Sequence, residues 1–271
     1  MALATPIVLY PVRFAATSYV LRVTSGATTE NLTFPATGSL TTTRNYYVSG
    51  DSQVDSDGSV GGVGDLVSLL ELCLDSNTGG LGYTVTVSDK SRNVITVAAT
   101  GTFSILWAHG STTLSPLVFG FAASNTASAT SAVAPNQSQG VWAPQQLWTA
   151  DTRDQQELVG ATTESISGLM RSSRLATPKK VRDLEWELLL KDRILDEYTP
   201  ATEPYGSAEY GWVNSWSYGR PLRVYDDASS RTSASYKLYR MRQASRMPYA
   251  RSERDGSRIR WAVDLPLRRA D

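Results

Sequence analysis

The chain has 271 residues, 41% of them hydrophobic, enough to close one large core or two of ordinary size. Lys plus Arg and Asp plus Glu both number 26, so no global charge steers the chain toward nucleic acid or a membrane surface. The single cysteine, Cys73, excludes an internal disulfide and a cysteine-based zinc cluster, and no stretch approaches the roughly 20 apolar residues of a membrane helix.

In chain order, Met1–Pro6 lacks a basic segment and a long apolar run, so no signal peptide is expected and synthesis in a reducing cytoplasm is. Ile7–Tyr10 and Ser18–Val23 read as short strands, β-branched or aromatic and separated by small polar residues; Asn45–Ser49 is a further candidate. Gly50–Gly58 is a loop by composition. Its Asp51, Asp55 and Asp57 fail the calcium-loop spacing, because Val60 stands where glycine is required. The spacing then predicts a helix over Asp65–Asp75, with Leu66, Leu69, Leu70, Cys73 and Leu74 on one face and Asn77 to Gly80 ending it.

Tyr83–Val87, Val94–Ala98 and Thr102–Trp107 read as three strands, the last separated by a break at Gly101, and a meander packed on the helix is expected. His109, the sole histidine, has no nucleophile elbow to serve and reads as a turn residue. Ala122–Gln139, rich in Ala, Ser, Thr and Asn, reads as an extended connector that orders against neighbours.

Composition changes near residue 150. Residues 1–150 hold 5 basic and 8 acidic side chains, and residues 151–271 hold 21 and 18. Val181–Leu188 alternates like a strand, Lys191–Tyr198 and Ala208–Trp216 read as short helices, and Leu222–Tyr225, Tyr236–Met241 and Ile259–Leu267 read as strands. Pro178–Arg182 looks basic, but Asp183, Glu185 and Glu187 cancel it. The carboxylate pairs Glu185/Glu187 and Asp226/Asp227 read as a solvent face and a turn. From Arg220 to Asp271 there are 13 basic and 6 acidic residues, interleaved with aromatics. Arg and aromatic residues in that mixture suit an inter-subunit surface, and less well a nucleic-acid surface. The subunit-interface candidates are Trp142, Trp212, Trp216, Arg220, Arg223, Tyr225, Arg240, Arg242, Arg246 and Tyr249. No catalytic, cofactor or metal site is expected, and an enzyme is not.

Two patterns carry a resemblance. Tyr83–Val87, Val94–Val97, Phe103-Ser104-Ile105-Leu106-Trp107, Leu114 to Gly120-Phe121, the small-residue run Ala122–Ala134 and Gln137 to Trp142-Ala143-Pro144 resemble a module of tailed-phage virion proteins. Trp212 to Trp216, Tyr218 to Asp227, Tyr236–Tyr239 and the final alternating strand are similar to distal tail and baseplate adaptor proteins. That resemblance implies a virion protein of the tail, a ring of six or three copies joining tube to tip and contacting neighbouring tail proteins, with no cofactor and no membrane. The rivals are a head-to-tail connector touching DNA and a tail-borne carbohydrate-binding module using Trp142, Trp148 or Trp212. The expected fold is mainly β. It comprises two β-sandwich or β-barrel-like domains, 1–150 and 151–271, each with about one packed helix and joined by the extended connector.

Overall fold

The computed structural model describes residues 7–12, 14–36, 38, 40, 46–50, 65–142, 153–157, 160–164, 170–174, 179–189, 221–229, 231–232, 235–241, 250–255 and 258–269. The chain is mainly β, as its patterning predicts, in two principal antiparallel sheets. It opens with β1 (Ile7–Leu9), which belongs to a sheet completed far downstream. The next strands, β2 (Tyr19–Ser25) and β3 (Thr28–Phe34), form a hairpin in which Ser25 pairs with Thr28. Gly26, at φ 59°, takes the first turn position, which a II′ hairpin reserves for glycine. In β3, Leu32 and Phe34 turn inward while Thr29, Asn31 and Thr33 stay exposed, a period of two. The sequence reading had not picked out this strand, because its first half is entirely polar.

Helix α1 (Leu66–Asp75) forms where the spacing places it, and its buried stripe includes Leu66, Leu69, Leu70, Cys73 and Leu74. Asp65 is its N-cap: the fully buried carboxylate accepts from Val67 N and Ser68 Oγ, and also from Ser49 N and Gly50 N. One side chain thus satisfies helix N-terminal donors and ties the preceding segment to the helix. That segment, expected as a strand over Asn45–Ser49, makes only isolated bridges, Val12 to Tyr46 and Tyr47 to Asp65. At the other end Asn77 Nδ2 donates to Leu74 O, and the left-handed Gly80 (φ 64°) releases the chain.

β4 (Tyr83–Asp89) and β5 (Val94–Ile105) follow as a hairpin. β5 runs unbroken through Gly101, which corrects the expected break. Gly101 packs under Leu81, where a Cβ would come within 2.7 Å of Leu81 Cδ2. What changes there is the partner. Tyr83–Asp89 pairs with Val94–Ala99, while Val23–Ser25 of β2 pairs with Phe103–Ile105. The Ser25 hydroxyl and Tyr83 phenol meet at 2.7 Å where the two partner strands abut.

The expected connector is also corrected. Pro116–Phe119 makes a short 3-10 turn capped by Gly120 at φ 78°, and Ala129–Val133 folds back as β6 along β5. Thr126, Ala134, Asn136, Gln137, Ser138 and Gln139 all hydrogen-bond within the chain. Small hydroxyl side chains and backbone groups hold this stretch, a kind of order that hydropathy patterning does not reveal.

α1 and the inner faces of these strands enclose one core, including Phe14, Phe34, Phe103, Phe119 and Phe121. Cys73 sits within it, and burial pushes its thiol up to about 12. Because the folded-state value lies above the ordinary 9.0, the protonated thiol's contribution to stability is complete below pH 9. It is lost as pH rises from 9 toward 12. We expect Cys73 to resist a thiol reagent in native protein at pH 8 and to react fully in denaturant, by mass spectrometry. Comparable labelling in both states would contradict the buried placement.

The second sheet contains β7 (Val141–Trp142), β8 (Arg153–Glu157), β11 (Lys179–Leu189), β12 (Leu222–Tyr225), β13 (Lys237–Met241), β14 (Ala250–Asp255) and β15 (Arg258–Arg269) together with β1. Its order is β7-β1-β12-β13-β15-β11-β8, with β14 also on β15. β9 (Gly160–Glu164) and β10 (Met170–Arg174) make a separate hairpin. The strands expected over Val181–Leu188, Leu222–Tyr225, Tyr236–Met241 and Ile259–Leu267 all occur, Leu222–Tyr225 with the expected bounds and the others with shifted ends. Strands from both ends of the first 150 residues, β1 and β7, join this sheet. Both expected helices, Lys191–Tyr198 and Ala208–Trp216, lie outside the described residues.

Candidate functional site

Two features stand out: a buried arginine–tyrosine junction between the sheets, and an uncharged sheet edge. The junction is built on β12. Arg223 is fully buried, with its guanidinium 4.2 Å from the Tyr47 ring centroid and 4.6 Å from that of Tyr236. Its Nη1 donates to Ser49 Oγ at 2.9 Å. The loop after β12 brings in Arg231, 3% exposed, whose Nη2 donates to Ser49 O and Asn93 Oδ1 at 2.9 and 2.7 Å. Arg231 also lies 5.3 Å from the Tyr225 ring. Lys90 Nζ reaches Arg231 O, and Tyr47 Oη donates to Pro221 O.

The β4–β5 turn makes this possible. Asp89 Oδ1 accepts from Ser91 N, Ser91 Oγ and Arg92 N, and Asn93 takes φ 54°, a conformation Asn tolerates. Asn93 Nδ2 then donates to Val48 O and Ser138 Oγ while its Oδ1 faces Arg231. A flat guanidinium with several fixed donors can stack on phenol rings and bond carbonyls at once, which an ammonium cannot.

This places several interface candidates. Trp142, Arg223 and Tyr225 are buried inside the chain, at 3%, 0% and 1% exposure. Arg223 and Tyr225 come together in the junction, while Trp142 pairs across β7–β1 with Val8. Arg240 is exposed on β13, opposite Arg268 of β15. Trp212, Trp216, Arg220, Arg242, Arg246 and Tyr249 lie outside the described residues, as do Asp51, Asp55 and Asp57. Asp227 serves its own turn, accepting from Ser229 N and Oγ, and Asp226 pairs with Lys237 at 2.8 Å. His109 Nδ1 accepts from Ser111 N in an exposed turn. Sequence reasoning passed over Arg231, Ser49 and Asn93. No local pattern marks them, since their partners stand 138 and 182 positions away.

The uncharged edge is β6. No Asp, Glu, Lys or Arg occurs between Arg92 and Asp151, so β5, β6 and the chain that joins them carry none of these charges. β6 lies along one edge of β5, and β4 and β2 share the other: Thr96–Ala98 pair with both β4 and β6, and Phe103 with both β2 and β6. Val133 is 60% exposed. An open groove of about 290 Å³ runs beside the strand, lined by Phe121, Asn125, Ser131, Val133 and Pro135 among others. Its lining is neutral throughout, small side chains apart from Phe121, and suited to contact with another polypeptide.

No family model and no curated protein matches the chain.

Proposed function

We propose that this chain is a structural subunit of a phage tail, a distal-tail or baseplate-type adaptor that works by assembling with copies of itself and with neighbouring tail proteins. The observation that carries the assembly part is the uncharged β5–β6 edge. Free-standing proteins usually blunt a sheet edge with charge, proline or a covering element, because unpaired backbone groups recruit other strands. Here an edge strand of small neutral residues with an exposed valine has no strand on its outer side among the described residues. Interface cores are depleted in charge in the same way. The tail assignment rests on the motif resemblance described above.

The rival readings lose part of their footing. Trp142 is too buried to stack on a sugar, and Arg223 and Arg231 are engaged inside the fold, away from any phosphate backbone. The test is native mass spectrometry of the purified chain with negative-stain imaging. Closed rings of six or three copies are the expected result. A monomer that binds glycans would overturn the reading in favour of a carbohydrate-binding module.

A further inference from the structure

We propose that the outer edge of β6 pairs with β6 of a second copy of this chain, antiparallel about a twofold axis at Ala132. This deepens the assembly reading and rests on it. The register defines the edge. Ala134 N donates to Ile95 O at 2.8 Å, so that pair is hydrogen-bonded. Bonded and non-bonded pairs alternate in an antiparallel ladder. Thr96/Val133 and Ala98/Ser131 are therefore the non-bonded pairs, and the N–H and C=O groups of Ser131 and Val133 point away from β5.

Elsewhere in the same sheet, outward backbone donors are taken up by side chains. On β4, Tyr83 N and Val85 N donate to Asp75 Oδ1 and Glu71 Oε2 of α1, both at 2.7 Å. On β2, Val20 N and Arg22 N donate to the hydroxyls of Thr113 and Thr112. Among the described residues nothing takes the outward groups of Ser131 and Val133.

Charge selects the occupant. A strand bringing Lys, Arg, Asp or Glu to this edge would find no counter-charge on β5, β6 or the chain between and after them as far as Ala150, because none stands between Arg92 and Asp151. The same strand of a second copy meets neutral with neutral. It also fits in register: a twofold at Ala132 sets Ser131 opposite Val133 of the second copy, each pair exchanging both of its backbone bonds. The two Ala132 residues then form a non-bonded pair, the closer of the two spacings, where a methyl side chain fits. Such a contact is closed and isologous, and so distinct from the head-to-tail contacts that close a ring.

The experiment compares the whole chain with Val133→Lys and Ala132→Cys by native mass spectrometry across a concentration series. Val133 is exposed, so lysine there leaves the fold intact, checked by an unchanged thermal unfolding curve, while placing like charges on the apposed edges. The expected result for the unaltered chain is an even number of copies, two rings of three or of six joined through β6. Val133→Lys then halves that mass, its dissociation constant raised about tenfold or more. Ala132→Cys, oxidised with glutathione disulfide, gives covalent pairs, because the spacing of a non-bonded pair lies within disulfide reach. Buried Cys73 serves as the silent internal control. An unaltered chain that stays monomeric throughout overturns both this contact and the assembly reading. Rings that persist unchanged in Val133→Lys, with Ala132→Cys unlinked, overturn the β6 contact and leave the assembly reading standing.

Discussion

Arg223→Ala is expected to destabilise the fold by about 3 kcal/mol or more, the cost typical of breaking a buried charged network. Three losses combine. The Tyr47 and Tyr236 rings lose the cation between them, Ser49 Oγ loses a donor, and the site of a fully buried side chain is left as a cavity. Arg223→Lys should recover only part of the loss, since an ammonium cannot stack on both rings and reach Ser49 together. Arg231→Ala should act on the same unit, because both arginines converge on Ser49. A double-mutant cycle should then be non-additive by more than about 0.5 kcal/mol. Urea unfolding followed by tryptophan fluorescence is the measurement. As the junction joins strands of one sheet to the β4–β5 turn of the other, weakening it should also split one transition into two. A loss below about 1 kcal/mol in a single unchanged transition would show that the junction does not couple the sheets.

Gly120→Ala is the second large effect, with an expected loss of about 3 kcal/mol or more and a melting temperature lower by roughly 10 °C. The position combines two constraints. At φ 78° the backbone is in the left-handed region, where any Cβ is strained. An added Cβ would also overlap Asn136 O and lie 3.0 Å from Gln137 C, backbone atoms held by the Asn136 N to Gly120 O and Gln139 N to Val118 O bonds. Backbone cannot step aside as a flexible side chain can. Gly26→Ala is the matched control: its φ is 59°, but nothing lies within 4 Å of the added methyl. It should cost only the conformational penalty, about 1 kcal/mol. Equal melting shifts for the two variants would show that close packing at Gly120 does not matter.

The parts legible beforehand were those whose cause is local. Leu66, Leu69, Leu70, Cys73 and Leu74 declare a helix by their spacing alone, and the alternation in Tyr83–Val87 and Ile259–Leu267 declares strands. Gly101 misled for a physical reason: glycine within a strand signals a break or a close approach, and only the position of Leu81 decides which. Ala122–Gln139 misled because hydroxyls and backbone groups order it, without any apolar stripe. Arg223 and Tyr225 were among the candidate interface residues. That they face inward depended on Tyr47, Ser49 and Tyr236 arriving from elsewhere.

By itself, then, the amino-acid order determined the β-rich character, the place of α1, the single inert thiol and the long stretch free of charge. Each is a property of neighbours within a few positions, governed by backbone propensity, periodicity and composition. Only the tertiary structure decided that β7 and β1 extend the sheet beside β12, that two arginines are buried between sheets, and that β6 pairs on one side alone among the described residues. Those outcomes depend on contacts between residues far apart in the chain, where strand pairing and burial are chosen by the whole packed assembly and leave no local trace.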